Sequence, residues 1–187
     1  MSQLSKAITS ITISELILIW LAIHLLLITQ PNAPVFDEAY YTQAARDLLK
    51  GVASNIEHPF LGKAWGALGM LIFGDNAFGW RIIIVLFGAF TLYTFYHLAR
   101  RYLPERMALL AAAYLGFDHL FFTHSSLFLL EIPALFFAIL AFKYYLERRI
   151  VLTAISMGLS ILSKETSLFL LFTLILLHLV TTRRLST

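Results

Sequence analysis

Six apolar runs, separated by short charged or proline-bearing breaks, dominate this 187-residue sequence and constrain its fold more than any other feature. They cover residues 13–29, 78–98, 107–123, 127–146, 150–162 and 167–180. A helix needs about 20 mostly apolar residues to cross a bilayer, and these runs approach that length. Composition agrees: 59% of residues are apolar and 13% charged, with a mean hydropathy of +0.80. Soluble domains lie near about half apolar and about a quarter charged. A soluble globular domain, a disordered chain and a coiled coil are thereby excluded. The sequence predicts an all-α, polytopic transmembrane protein of about six spans, with residues 1–187 forming a single membrane domain. The first run reads as an uncleaved span. A cleaved signal peptide is the alternative, although only Lys6 precedes the run and no small-x-small cleavage site follows it.

Basic residues set the orientation. With a cytoplasmic N-terminus and alternating spans, Lys6, Arg100, Arg101, Arg106, Lys143, Arg148, Arg149, Arg183 and Arg184 fall inside. Arg46, Lys50, Lys63, Arg81 and Lys164 fall outside. The net charge of +3 is scattered in short clusters between apolar runs, so no nucleic-acid partner is expected. There is no cysteine, which removes disulfides and thiolate chemistry. Absent Asn-x-Ser/Thr sequons and compact loops point to a prokaryotic plasma membrane, with the endoplasmic reticulum as the alternative.

The acids gather on the outer side. Asp37, Glu38, Asp47, Glu57 and Asp75 all lie in the outer loop, residues 30–77, and Asp118, Glu131 and Glu165 lie at outer ends of later spans. That face reads as the functional one. Within the loop, Pro31 and Pro34 break the first helix, and Asp37 stands where a new helix begins. This helix runs to Lys50, with Gly51 as its stop signal. It is expected to lie flat at the membrane surface with its tyrosines at headgroup level. The apolar stretch 62–73 is too short to span and reads as an interfacial or re-entrant helix. Its Gly62, Gly66 and Gly69 admit a close neighbour.

Three constellations carry candidate chemistry. Asp37 and Glu38 have two readings, a helix cap in a favourable dipole or a general base at the membrane surface. The run Glu57-His58-Pro59-Phe60-Leu61-Gly62-Lys63 brackets a turn with polar groups, and Lys63 could serve as a point charge for phosphate or could snorkel from a surface loop. Arg81, Asp118, His119, Glu131 and Lys164 stand near membrane depth, where charge is costly and usually paired or functional. Arg81 could snorkel outward, and Asp118 could pair with His119 or His124. A divalent metal held by His58, His119, His124 and an acid is conceivable, but no helix-spaced ligand motif supports it.

These residues, in this order, resemble the GT-C glycosyltransferases. Phe36 to Tyr41, F-D-E-A-Y-Y, looks like the Asp-Glu motif of their first outer loop. Glu57 to Lys63, E-H-P-F-L-G-K, is similar to the H-P-P-L-G-K segment of protein O-mannosyltransferases, with Phe60 in place of the second proline. Arg81 matches an arginine common at that point. The stretch from Ser125 to Phe137 resembles the third motif, with Glu131 where Asp is usual. Gly158 to Lys164 resembles a Gly-Leu-x-x-x-x-Lys segment. Bacterial lipid A aminoarabinose transferases share the outline. The resemblance covers the N-terminal half of such proteins. It implies an inverting transfer of a hexosyl or pentosyl group from a polyprenyl-phosphate donor to a protein or lipid hydroxyl. Asp37 would be the base and Glu38 a supporting acid. Lys63, Arg81 and Lys164 would contact phosphate or acceptor, and His58 and Glu131 would shape the site. Membrane lipids, a partner chain or a second copy are the further partners implied. The alternatives are a non-catalytic subunit of a split enzyme and a small transporter; an inverted repeat would favour the transporter, and the sequence has none.

Overall fold

The computed structural model describes residues 11–52 and 54–184. Among them there are nine α-helices, one 3-10 turn and no strand. The helices are α1 (Ile13–Leu27), α2 (Glu38–Leu49), α3 (Phe60–Phe73), α4 (Ala77–Ala99), α5 (Glu105–Phe117), α6 (His119–Ser126), α7 (Glu131–Leu146), α8 (Ile150–Ser163) and α9 (Leu168–Arg184). The 3-10 turn, Glu165–Ser167, joins α8 to α9. Lys6, and the side chains of Arg183 and Arg184, lie outside the described residues.

Helix α4 is the axis of the fold, and α1, α3, α5, α6 and α7 all pack on it. Ile84, Val85 and Leu92 of α4 are fully buried, and the core continues through Trp20, Phe128, Leu130 and Ile132. Local chemistry sets the helix starts. Thr12 and Glu15 form a reciprocal capping box at α1. Asn76 caps α4 by accepting from the Gly79 amide at 3.0 Å. Helix α1 then buries Leu16, Trp20 and His24, one residue per turn, and Trp20 Nε1 donates to the Gly116 carbonyl at 2.8 Å.

By length and composition, α4 alone among the described helices can cross a bilayer unaided. Helices α1, α3 and α8 are apolar but shorter, as is the stretch 165–180 that carries most of α9. The expected third and fourth spans are corrected. Residues 107–123 are not one helix, because Asp118 stops α5 and caps α6, its Oδ1 accepting from the amides of Leu120 and Phe121 at 3.1 Å. The Asp118 carboxylate is therefore a cap and not a partner of His119 or His124. The fourth helix starts at Glu131 and not at residue 127. Pro133 in its first turn, where a missing amide costs nothing, favours that start. Helices α6 and α7 meet at 116°. Between them Phe128, Leu129 and Leu130 form a buried, non-helical corner.

The loop of residues 30–77 holds α2 and α3, as expected. Helix α3 presents Gly62, Gly66 and Gly69 to its neighbours: Gly62 lies against Leu130 and the Ser163 carbonyl, Gly66 against the Phe128 ring, and Gly69 against the backbone of Gly79. The C-terminal half of α2 is clamped to the start of α4. Arg46 donates two hydrogen bonds to Asp75 at 2.7 and 3.0 Å, and Trp80 Nε1 donates a third to Asp75 at 2.6 Å. These bonds, those from Arg46 foremost, hold the Asp75 carboxyl below the usual carboxylate range.

The glycine seats give a paired test. A methyl group at Gly66 meets the buried Phe128 ring, whereas a methyl at Gly158 meets nothing within 4 Å. Gly66→Ala is expected to destabilise by about 1–3 kcal/mol through overpacking. Gly158→Ala is expected to stabilise by about 0.5–1 kcal/mol by restricting the unfolded chain. Thermal midpoints in detergent check both signs; equal behaviour of the two variants would contradict the seat of Phe128.

Candidate functional site: a carboxylate-rich cleft around Tyr41

Glu38 and Arg81 come together at the centre of this region, both fully buried. Arg81 Nε and Nη2 donate to the two Glu38 oxygens at 2.7 Å each. The remaining guanidinium hydrogens go to the carbonyls of Ile28 and Pro31 at 2.9 Å and of Ala33 at 3.2 Å. All five arginine donors are thus spent. Glu38 also accepts from the Phe128 amide at 2.9 Å and the Val35 amide at 3.1 Å. Arg81 therefore neither snorkels nor offers a cation to phosphate, and Glu38 has no oxygen left for a substrate. The pair fixes the start of α2, the chain leaving α1 and the corner at Phe128 to α4.

Asp37, one residue earlier, is held differently. It occupies the N-cap position of α2, yet its side chain makes no capping hydrogen bond. The residue before it, Phe36, has φ 54°, a left-handed conformation costly for a bulky side chain. The half-buried Asp37 lines a cavity of about 170 Å³ together with Tyr40, Tyr41, Asn55, Glu57 and His58.

His58 Nδ1 lies 2.9 and 3.0 Å from the two oxygens of Glu165. Burial works against the Glu165 charge, but hydrogen bonds from His58 and backbone, with the charges of His58 and Lys164, outweigh it and hold this carboxyl below its usual range. Lys63 is not a free point charge. Its ammonium donates to the carbonyls of Asn55 at 2.5 Å, His58 at 2.8 Å and Ser54 at 3.5 Å, and burial lowers its pKa. It organises the turn that presents His58. Glu131 and Lys164 form an ion pair across the starts of α7 and the 3-10 turn. The second Glu131 oxygen is buried and has no described partner.

Tyr41 joins these groups. It is buried one turn after Asp37 on the same face of α2, its ring 5.8 Å from that of His58. Burial first, then the charges of Glu131, Asp37, Glu165 and Glu57, push its hydroxyl far above the usual tyrosine value. Tyr41 thus shares its cavity with Asp37 and Glu57 and stands beside the His58 that bonds Glu165. Sequence reasoning missed Tyr41, Asn55 and Glu165 as site residues. The signals available were the four-residue spacing of Asp37 and Tyr41 and the adjacency of Glu165 to Lys164. A second cavity, of about 390 Å³, is lined by Glu131 together with apolar walls from Leu115, Phe121, Leu135 and Leu170. No group of three His, Asp or Glu side chains that could hold a metal occurs among the described residues, so His58, His119 and His124 are not assembled as ligands.

An all-helical frame, a loop bearing Asp-Glu, and a His-Pro-Phe-Leu-Gly-Lys turn folded against a Lys-Glu segment define a GT-C-type chain. The profile of the dolichyl-phosphate-mannose-protein mannosyltransferases matches residues 57–187, and the chain belongs to that family. The matched segment holds His58, Lys63, Arg81, Glu131 and Lys164, while Asp37 and Glu38 precede it. The chain is similar to the polyprenol-phosphate-mannose–protein mannosyltransferase of Corynebacterium glutamicum, 32% identical over an alignment of 123 residues that covers 58% of this chain and 24% of that one. The enzyme of the same name from Mycobacterium tuberculosis is 40% identical over 68 residues, covering 33% of this chain and 13% of its own. That of Mycolicibacterium smegmatis is 31% identical over 122 residues, covering 61% and 24%. The chain spans about a quarter or less of the length of these curated relatives. No solved structure matches it.

Two expectations follow. Glu38→Gln leaves the Arg81 charge buried without its counterpart and is expected to cost about 3–5 kcal/mol. In a double-mutant cycle with Arg81→Gln the two losses should fall well short of additive; strict additivity would show that the pair is not coupled. The second expectation concerns acid stability. Glu165 ionises more readily in the fold than in a free chain, so its contacts stabilise above the ordinary carboxyl value of 4.5 and are lost as pH falls through the lower folded value. Glu165→Gln should flatten the acid limb of thermal midpoint against pH; parallel limbs for variant and wild type would overturn this.

Proposed function

We propose that the chain is the Asp-Glu-bearing module of a membrane glycosyltransferase that moves mannose from a polyprenyl-phosphate donor to a protein hydroxyl. The observation that carries this reading is the contrast between adjacent acids: Glu38 is buried and saturated, whereas Asp37 faces a cavity with no described hydrogen-bond partner. Family membership and the printed names of the relatives supply the donor and acceptor class. The chain is read as one membrane unit with a cytoplasmic N-terminus in a prokaryotic plasma membrane. The outer loop, residues 30–77, then lies at the far interface. Helices too short to span alone cross with tilt or with local thinning of the bilayer.

The chemistry follows from the residues. The donor's tail is apolar and lies in the bilayer, which puts its phosphate at the outer interface. The apolar-walled cavity beside Glu131 suits the first part of that tail. Asp37 takes the proton of the acceptor hydroxyl as its oxygen bonds to the anomeric carbon, from the face opposite the phosphate. The bond from that carbon to the phosphate oxygen breaks, and the lipid phosphate leaves with the electron pair. Lys164 and His58 are the cationic and hydrogen-bonding groups at the cleft that offset its charge. Arg81, Glu38 and Lys63 act one step back, holding α2 and the 54–58 turn in place. Glu131 keeps Lys164 oriented through their ion pair.

Asp37→Asn tests the base. The native side chain makes no cap bond, so the substitution should cost only the lost charge–dipole term, about 0.3–1 kcal/mol. Turnover of polyprenyl-phosphate mannose should fall by about 10²–10⁴-fold, because an amide cannot accept the proton. The readouts are transfer by the full enzyme, with any catalytic partner chain present, and thermal stability in detergent. Near-normal turnover by a well-folded Asn variant would remove Asp37 from the chemistry.

A further inference from the structure

The opposite end of α4 carries a second polar cavity that the transfer reaction does not use. It encloses about 400 Å³ and is lined by Tyr93, His97, Arg101, Lys143 and Glu147. Arg81 and His97 are sixteen residues apart on α4, which puts this cavity about 24 Å along the helix from the Glu38–Arg81 pair. Its one carboxylate is shared among three cations. Glu147 lies 3.3 Å from Lys143, 3.5 Å from Arg149 and 3.6 Å from Arg101. These are ion-pair separations longer than a good charged hydrogen bond. Within the cavity Arg101 and Lys143 face this single carboxylate, which Arg149 also shares from outside, so positive charge is in excess in a half-enclosed site, an arrangement that suits an anion.

The surroundings say which anion. Leu86, Phe90, Tyr93 and His97 follow one another at helical spacing along one face of α4, and the first three are exposed. Across from them Phe136, Leu140 and Lys143 of α7 and Glu147 at its C-cap repeat that spacing. The Phe90 and Phe136 rings approach to 6.0 Å, so the two rows flank one groove. This groove is apolar along its length and basic at its end. Tyr93 and Tyr144 stand at the boundary, with the Lys143 ammonium 5.1 Å from the Tyr144 ring centre. A free phosphate would fill the basic end and leave the apolar row bare, and an acidic peptide would have no use for a groove directed into the bilayer. A phospholipid uses both parts.

We propose that this inner-end groove binds an anionic phospholipid, its acyl chain along Leu86, Phe90 and Phe136 and its phosphate between Arg101 and Lys143. Basic pockets between helices on the cytoplasmic side are suited to such headgroups. The proposal takes from the proposed function only the placement of the chain in a bilayer. Its readout is lipid retention and not sugar transfer, so failure of either leaves the other standing.

The test uses the purified full chain in detergent, with phosphatidylglycerol and phosphatidylcholine of identical acyl chains and with inorganic phosphate. Native mass spectrometry should show phosphatidylglycerol retained over phosphatidylcholine by about fivefold or more, the scale of one or two basic contacts. The thermal midpoint should rise with phosphatidylglycerol alone. Arg101→Gln/Lys143→Gln should bring the retention ratio close to one. Arg106→Gln/Arg148→Gln removes equal charge from exposed inner-end positions outside the cavity and should leave the ratio unchanged. Absence of a preference in the wild type, an equal loss in the control variant, or an equal midpoint rise with inorganic phosphate would each overturn the proposal. If the cavity variant does not fold, the wild-type midpoints decide: a rise specific to phosphatidylglycerol upholds the site and its absence overturns it.

Discussion

A buried guanidinium with all five donors satisfied, facing a buried carboxylate with both oxygens doubly used, is the constraint on which this structure depends. Burying either charge alone would cost several kcal/mol. Buried together with full hydrogen bonding, they join four pieces of chain: the end of α1, the start of α2, α4 and the corner at Phe128. The geometry of two forks meeting is specific where hydrophobic contact is permissive.

That clamp has a consequence for the residue beside it. Because Glu38 is locked inward, Asp37 must begin α2 on the cleft side, with Phe36 taking the left-handed conformation that the abrupt turn requires. Tyr41 follows one turn later and meets charge from four carboxylates. Lys63 then ties the 54–58 turn from below, so His58 reaches Glu165 across more than a hundred residues of sequence. Ion pairs hold the framework, and Asp37, an acid that the framework leaves without a described side-chain hydrogen bond, is the one proposed to take the acceptor's proton.

The broken helix between α6 and α7 shows how far residue pattern reaches. Asp118 within an apolar run is a cap signal, and Pro133 after Glu131 is a first-turn signal, so both breaks are legible in retrospect. Hydropathy smooths over such breaks, because Leu127, Phe128, Leu129 and Leu130 are as apolar as a helix interior. The backbone of this corner stays out of helix because the Phe128 amide has a partner in Glu38, and its ring has a seat at Gly66. Neither partner is near in sequence.

The sequence by itself determined that the protein is helical, that five of its acids lie in the loop of residues 30–77, and that it carries Asp-Glu, His-Pro-Phe-Leu-Gly-Lys and Gly-Leu-x-x-x-x-Lys segments in that order. These properties rest on local propensity, on apolar length and on residue spacing. Tertiary structure alone decided which of those charges remain available. Asp37 and Glu38 are indistinguishable as neighbours in a motif, yet one lines a cavity and the other is sealed against Arg81. Lys63 and Lys164 look alike as lysines of two motifs, yet one is spent on backbone carbonyls and the other pairs with Glu131. The reason is physical: the reactivity of an ionisable group depends on the donors, acceptors and water around it, and distant chain supplies those only once α4 has gathered the helices.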